Sequence, residues 1–150
     1  QFVVRLDNRS SLLNAHRGTY LNAAFLPRVA WLGSQFVYQK YLLDARKYWS
    51  LRRQDPYREV IAVQLYGEFS NGEVPFTDLS LLGSAMIMRG YYAGRFRDNH
   101  FVAAQAEYRR AINSWFGVVG FVGAGQVADR LDNFNTRNIK PSAGVGIRFK

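Results

Sequence analysis

The sequence predicts an all-β protein, an antiparallel up-and-down meander of about seven strands. Three observations predict it. Apolar and polar residues alternate strictly over long stretches. The aromatic content is 15%, dominated by Tyr and Phe, which favour strands. Gly, Pro, Asn and Asp cluster between the alternating stretches, where turns belong.

The seven segments are about residues 1–7, 17–29, 35–49, 58–70, 100–110, 115–127 and 141–150. The first opens on QFVVRL. The second, TYLNAAFLPRVAW, alternates loosely. In the third, Lys40, Asp44 and Arg46 share one side, and Tyr41, Leu43 and Ala45 the other. In the fourth, Ile61, Val63, Leu65 and Phe69 form the apolar face, opposite Gln64, Tyr66 and Glu68. In the fifth, Val102, Ala104, Ala106 and Tyr108 oppose Gln105, Glu107 and Arg109. In the seventh, Pro141, Ala143, Val145, Ile147 and Phe149 alternate with Ser142, Gly144, Gly146, Arg148 and Lys150. The glycines there suit a curved wall or a closely packed loop.

The sixth segment carries two competing patterns. Ala111–Ala128 is uncharged and close to the length of a membrane helix. Four glycines, Asn113 and Gln126 weigh against a helix. Gly123-Ala124-Gly125-Gln126-Val127-Ala128 also fits half of a dinucleotide fingerprint. The residues that follow lack an apolar helical stripe and reach Pro141, so that context fails.

WLGSQ, residues 31–35, reads as a tight turn, SLRRQDPY and RRAINS as short connections, and DRLDNFNTRNIK as an exposed loop. The longest irregular piece is residues 71–99. A connection of that length in a compact domain is usually functional. It contains the cationic, glycine-punctuated stretch IMRGYYAGRFRDN.

Strands of this length fit a soluble sandwich or barrel, apolar inside, or a membrane barrel, apolar outside. Trp31, Tyr48, Trp49 and Trp115 sit at strand ends, as in interfacial girdles or at the rim of an ordinary core. The formal charge of +9 is spread along the chain, which favours solvated faces over a nucleic-acid stripe. There is no Cys, which excludes disulfides and thiolate metal sites. His16 and His100 stand alone, without ligand spacing, and no nucleophile elbow occurs. Asp44, Glu68 and Glu107 are interspersed with cations, as salt-bridged face residues are. No enzyme activity and no cofactor is expected. The chain opens on Gln1 with no visible signal peptide, which suggests a processed chain or an excised piece.

VPFTDLSLLGSAMIMRGYYAGRFRDN, then AAQAEYRRAI, GVVGFVGAGQV and SAGVGIRF, together resemble the bacterial surface antigen family, the BamA/TamA-type outer-membrane assembly barrels. RGTYLNAAF and YLLDARKYW fit the preceding strands, so the resemblance covers nearly the whole chain. It implies that residues 1–150 are the C-terminal portion of an outer-membrane barrel, with more strands in the complete molecule. The loop at about 71–99 would fold back into the lumen. Arg89, Gly90 and Tyr91 match its tip, and Glu107 matches its acidic partner on the inner wall. Gly123 stands where many members carry a second wall acid, so Glu107 acts alone or with Asp98. Gly83-Ser84 replaces a usual glycine pair. The implied role is insertion or assembly of outer-membrane proteins, or polypeptide translocation, in the bacterial outer membrane. The implied partners are membrane lipid, client polypeptides and other assembly-machine subunits, not nucleic acid. Unpaired edges would aggregate, pair with another copy or close differently. The alternative from the residues alone is a soluble basic β-domain that binds nucleic acid or another anion. The two differ in where Ile61, Val63, Leu65, Val145 and Ile147 point.

Overall fold

A computed structural model describes residues 1–29, 36–84 and 86–149. The predicted turn at 31–35, Trp31, and the first residue of the 35–49 segment lie outside the described residues, as does Lys150. Seven strands form one antiparallel sheet: β1 (Phe2–Asp7), β2 (Gly18–Arg28), β3 (Tyr38–Ser50), β4 (Glu59–Gly72), β7 (His100–Ala111), β8 (Phe116–Ala128) and β9 (Lys140–Phe149). They lie in chain order, each hydrogen-bonded to its neighbour. The sheet does not close among the described residues, and β1 and β9 are its edges. Two short strands, β5 (Ser80–Leu82) and β6 (Phe96–Asp98), pair separately within the long connection.

The strand expected at about 115–127 is β8, and the fingerprint-like run lies within it. Gly123–Ala128 lies inside β8, which pairs on both sides with β7 and β9. No helix starts there to present amide groups to a phosphate. The same pairing excludes a membrane helix over 111–128.

The period of two divides the sheet into unlike faces. One face is covered by the β4–β7 connection and is called inner here. It presents Asp44, Arg46, Gln64, Tyr66, Glu68, Gln105, Glu107, Arg109 and Arg148. Of these, Asp44, Gln64 and Glu107 are buried. The outer face carries the aliphatic set. Val145 is 90% exposed, Ile147 66% and Leu65 55%. These residues do not meet in a dry interior, as a soluble sandwich would require. The polar face is the covered one.

Aromatics bound the outer band. Phe2, Phe25, Tyr41 and Phe69 are successive register partners across four strands. Their rings stack at 6.3 Å for Phe2–Phe25 and 4.9 Å for Phe25–Tyr41. At the other end Trp49, Tyr108, Trp115 and Phe149 are exposed. Tyr48 departs from the expected girdle: it faces inward and is buried with Ala15 and Ala62. From Ile61 to Phe69 the outer band of β4 holds no charge. That span matches the roughly 9–11 residues a tilted strand needs to cross a membrane. Outer-face charges sit at the strand ends, where Glu59 pairs with Arg52 at 3.2 Å.

The β8–β9 connection folds over the outer face. Its Leu131, Phe134 and Ile139 approach Leu65, Phe69, Val102 and Ala124 around an apolar hollow of about 640 Å³. Gln126, an outward-facing polar side chain, is buried beneath it, where its amide pairs with the backbone C=O and N–H of Asn135. Asp129 in this loop is held below the usual carboxylate range, first by the Asn133 amide that donates to it.

Leu42 and Leu43 are neighbours on opposite faces, and Leu42 pairs with Glu68. Leu43→Arg should reduce stability in a bilayer by about 2–4 kcal/mol. Leu42→Arg, placed beside an inner carboxylate, should cost much less. Denaturant titration of protein folded into lipid vesicles measures the difference.

Candidate functional site

The β4–β7 connection starts at one end of the sheet and descends along the inner wall. Glu73 N–H donates to Val37 O at 3.1 Å. A 3-10 turn at Phe76–Asp78 follows. Tyr38 Oη donates to the Asp78 carboxylate, and Lys40 Nζ donates to Asp78 O at 3.1 Å. Lys40 also pairs with Glu68 at 2.8 Å, and Tyr66 Oη donates to Glu68 at 2.5 Å. The descending arm is therefore fastened to β3 and β4 before the tip is reached.

The tip spans 83–95, between β5 and β6. Gly83 has φ +102°, and a Cβ there would stand 2.8 Å from Tyr91 O. The position therefore excludes a side chain on two grounds. Ser84 replaces the expected second glycine, and its Oγ accepts from Met86 N at 3.2 Å and Ile87 N at 3.1 Å. Met88 has φ +54°, unusual for a bulky residue. It is fully buried, clustered with Leu82, Ile87, Phe101 and Ala103. That packing holds the strained backbone in place. Gly90 has φ +100° and open space around it, so its requirement is the chain reversal, not a close approach.

The structure brings Arg89 and Glu107 together: Arg89 Nη2 donates to Glu107 Oε2. Glu107 lies seven residues into β7 from His100, so the tip reaches about 24 Å along the strand. The Arg89 guanidinium also lies 4.3 Å from the Phe121 ring centroid, a cation–π arrangement. Tyr91 Oη donates to Pro141 O at 2.7 Å, and its ring meets Phe96 edge-on. Gln105 Nε2 donates to Met86 O at 2.7 Å and to Gln64 Oε1 at 3.0 Å. Gln64 Nε2 in turn donates to Asp44 at 2.9 Å, and Asp44 binds Arg46 at 2.5 Å. A polar chain thus runs from β3 through β4 and β7 to the tip.

Asp98 does not assist. It lies in β6 opposite Ser80, accepts from Asn99 N at 2.9 Å, and among the described residues makes no bond to Arg89. The other partners of Glu107 are cations of the wall. Arg109 Nε donates to Oε1, and Arg148 Nη1 stands 3.8 Å away. Both were visible in the sequence as members of the polar face, but nothing there marked them as sharing one acid. Asn14 and Ala15 were not foreseen at all. The β1–β2 connection folds inward from the opposite end of the sheet. Arg109 Nη1 donates to Ala15 O at 3.4 Å, and Arg148 Nη2 lies 3.5 Å from Asn14 Oδ1.

The lone histidines hold structural positions. His16 binds Ser10 Oγ through Nδ1 at 3.0 Å, and His100 Nδ1 accepts from Ser70 N at 3.3 Å. Among the described residues no group of acids and histidines is placed to hold a metal.

The sheet thus combines an outward apolar face, a polar inner wall and an inserted loop. The family model of the Omp85 superfamily domain matches residues 1–150. The chain belongs to the Omp85 superfamily. No curated protein matches it. Omp85 proteins are outer-membrane proteins of assembly and translocation, and an exposed aliphatic surface on a sheet whose charges turn inward fits such a domain.

Arg89→Ala and Glu107→Ala should each raise protease cutting within 73–99 several-fold. Their double-mutant cycle should give a coupling energy of about 1–3 kcal/mol. Stability measurements on the four proteins in detergent check the coupling, and additive losses would exclude a direct pair.

Proposed function

We propose that this chain is the C-terminal portion of a BamA/TamA-type barrel that inserts or assembles outer-membrane proteins, or translocates polypeptide, in the bacterial outer membrane. The observation that carries the reading is the loop tip seated on the inner wall, Arg89 on Glu107, in a sheet with a lipid-compatible exterior. A charge-assisted hydrogen bond from a guanidinium to a carboxylate is stronger and more directional than a neutral one, so the Arg89–Glu107 bond fixes one seat for the loop. The work needs no bond chemistry and no cofactor. Binding and release of strands supply it, with client strands adding to a sheet edge by main-chain hydrogen bonds. The partners are membrane lipid, client polypeptides and other assembly-machine subunits. Nucleic acid is not among them in this reading, because the cations are spread along the chain instead of gathering in one stripe.

The test is a folding assay. Lipid vesicles containing this protein should accelerate insertion of an unfolded outer-membrane barrel over empty vesicles. Arg89→Ala should reduce that acceleration several-fold. Equal insertion rates with and without the protein would exclude the insertion role.

A further inference from the structure

Three guanidinium groups converge on one carboxylate. Glu107 binds Arg89 and Arg109 directly, and Arg148, at 3.8 Å, is beyond hydrogen-bonding distance. The only other polar contact of Arg148 among the described residues, Asn14 Oδ1 at 3.5 Å, is neutral and long. Across the same cavity Arg46 is neutralised by Asp44. Among the described residues Arg89, Arg109, Arg148 and Glu107 therefore carry a net charge of +2. The cavity measures about 490 Å³, and Arg46, Arg89, Arg109, Arg148 and Glu107 are in its wall. On its β9 side Gly146 lines the cavity without a side chain, and a Cβ there would stand a tight 3.3 Å from Val119 Cγ1.

Guanidinium groups gathered around one acid repel one another, and the repulsion grows where the protein wall excludes water. An oxyanion relieves it, and a guanidinium with free N–H groups binds carboxylate or phosphate through paired hydrogen bonds. We propose that this cavity is an oxyanion site, in which Arg148 and Arg109 hold a carboxylate or phosphate group that Glu107 does not supply. The volume greatly exceeds that of one water, about 30 Å³, and admits either group. The group arrives on an acidic polypeptide side chain or as a phosphate. The site stands apart from the proposed assembly role, since it follows from the charge imbalance alone.

The experiment uses the protein folded in detergent and reads its thermal midpoint. Inorganic phosphate is compared with chloride at equal ionic strength, and a short oligoglutamate peptide with a neutral peptide. The midpoint should rise by several degrees with phosphate, with oligoglutamate or with both, beyond the matched control. A response to oligoglutamate alone assigns the site to polypeptide carboxylates, and a response to phosphate alone assigns it to phosphate groups. Arg148→Gln should abolish the specific rise. Gly146→Asp, which places a carboxylate in the cavity, should raise the midpoint without added anion and remove the response. Equal shifts in test and control solutions would overturn the proposal, and so would a full response retained in either variant.

Discussion

The inner wall of this sheet must find partners for the charges it gathers. Its outer face is aliphatic and exposed, so charged side chains have one place to go, and the alternation of the strands sends them there together. Once gathered they cannot stand alone. An ion held against protein on several sides loses much of its hydration, and a partner or a hydrogen-bond network has to replace it. The pairs Lys40–Glu68, Arg46–Asp44 and Arg109–Glu107 are that replacement on the strands themselves. The inserted loop extends it by bringing Arg89 to the wall and by giving Gln105 the carbonyl of Met86.

Polar bonds fix the direction of the loop, while a small apolar cluster fixes its depth. Leu82 and Met88 are fully buried against Phe101, an inward residue of β7. Gly125, on the same face of β8, gives this cluster its room: a Cβ there would stand 3.1 Å from Met88 Sδ. A strained φ at Met88 is tolerated because moving the residue would empty that space. The tip is thus over-determined in the sense that strained backbone requires. Gly83 and Gly90 supply the reversals that let a single connection descend the wall and return.

Much of this arrangement was legible in the sequence, because a period of two survives any detail of packing. Each of the seven strands begins and ends within about three residues of where alternation and turn residues placed it. The face assignment of Glu107 followed from Val102, Ala104, Ala106 and Tyr108. Alternation alone could not say which face was wet, because period-two patterns are identical in a sandwich and a membrane barrel. Val145 and Ile147 decide that only through their exposure. Tyr48 shows the same limit: a strand-end aromatic reads as girdle, yet its even number places it with Asp44 and Arg46 on the inner wall. The inward fold of Asn14 and Ala15 left no trace in the sequence, since it depends on contacts with Arg109 and Arg148, distant in the chain. β5 and β6 were too short to show a period.

The pairing at Glu107 is asymmetric, and the asymmetry bears on how firmly the loop is held. When one partner of a buried ion pair is withdrawn, the usual penalty falls on the charge left behind, about 3–5 kcal/mol for a full truncation. Here the charge left behind would be Glu107, which keeps Arg109 and has Arg148 at 3.8 Å. The wall carboxylate is never left unpaired. The loss falls on Arg89 instead, whose side chain is already 29% exposed and regains water as it leaves. Two wall arginines beside one acid therefore reduce the penalty of unseating the loop relative to an isolated pair, while the Arg89–Glu107 bond, the Phe121 ring and the Met88 cluster still define a single seat when the loop is down.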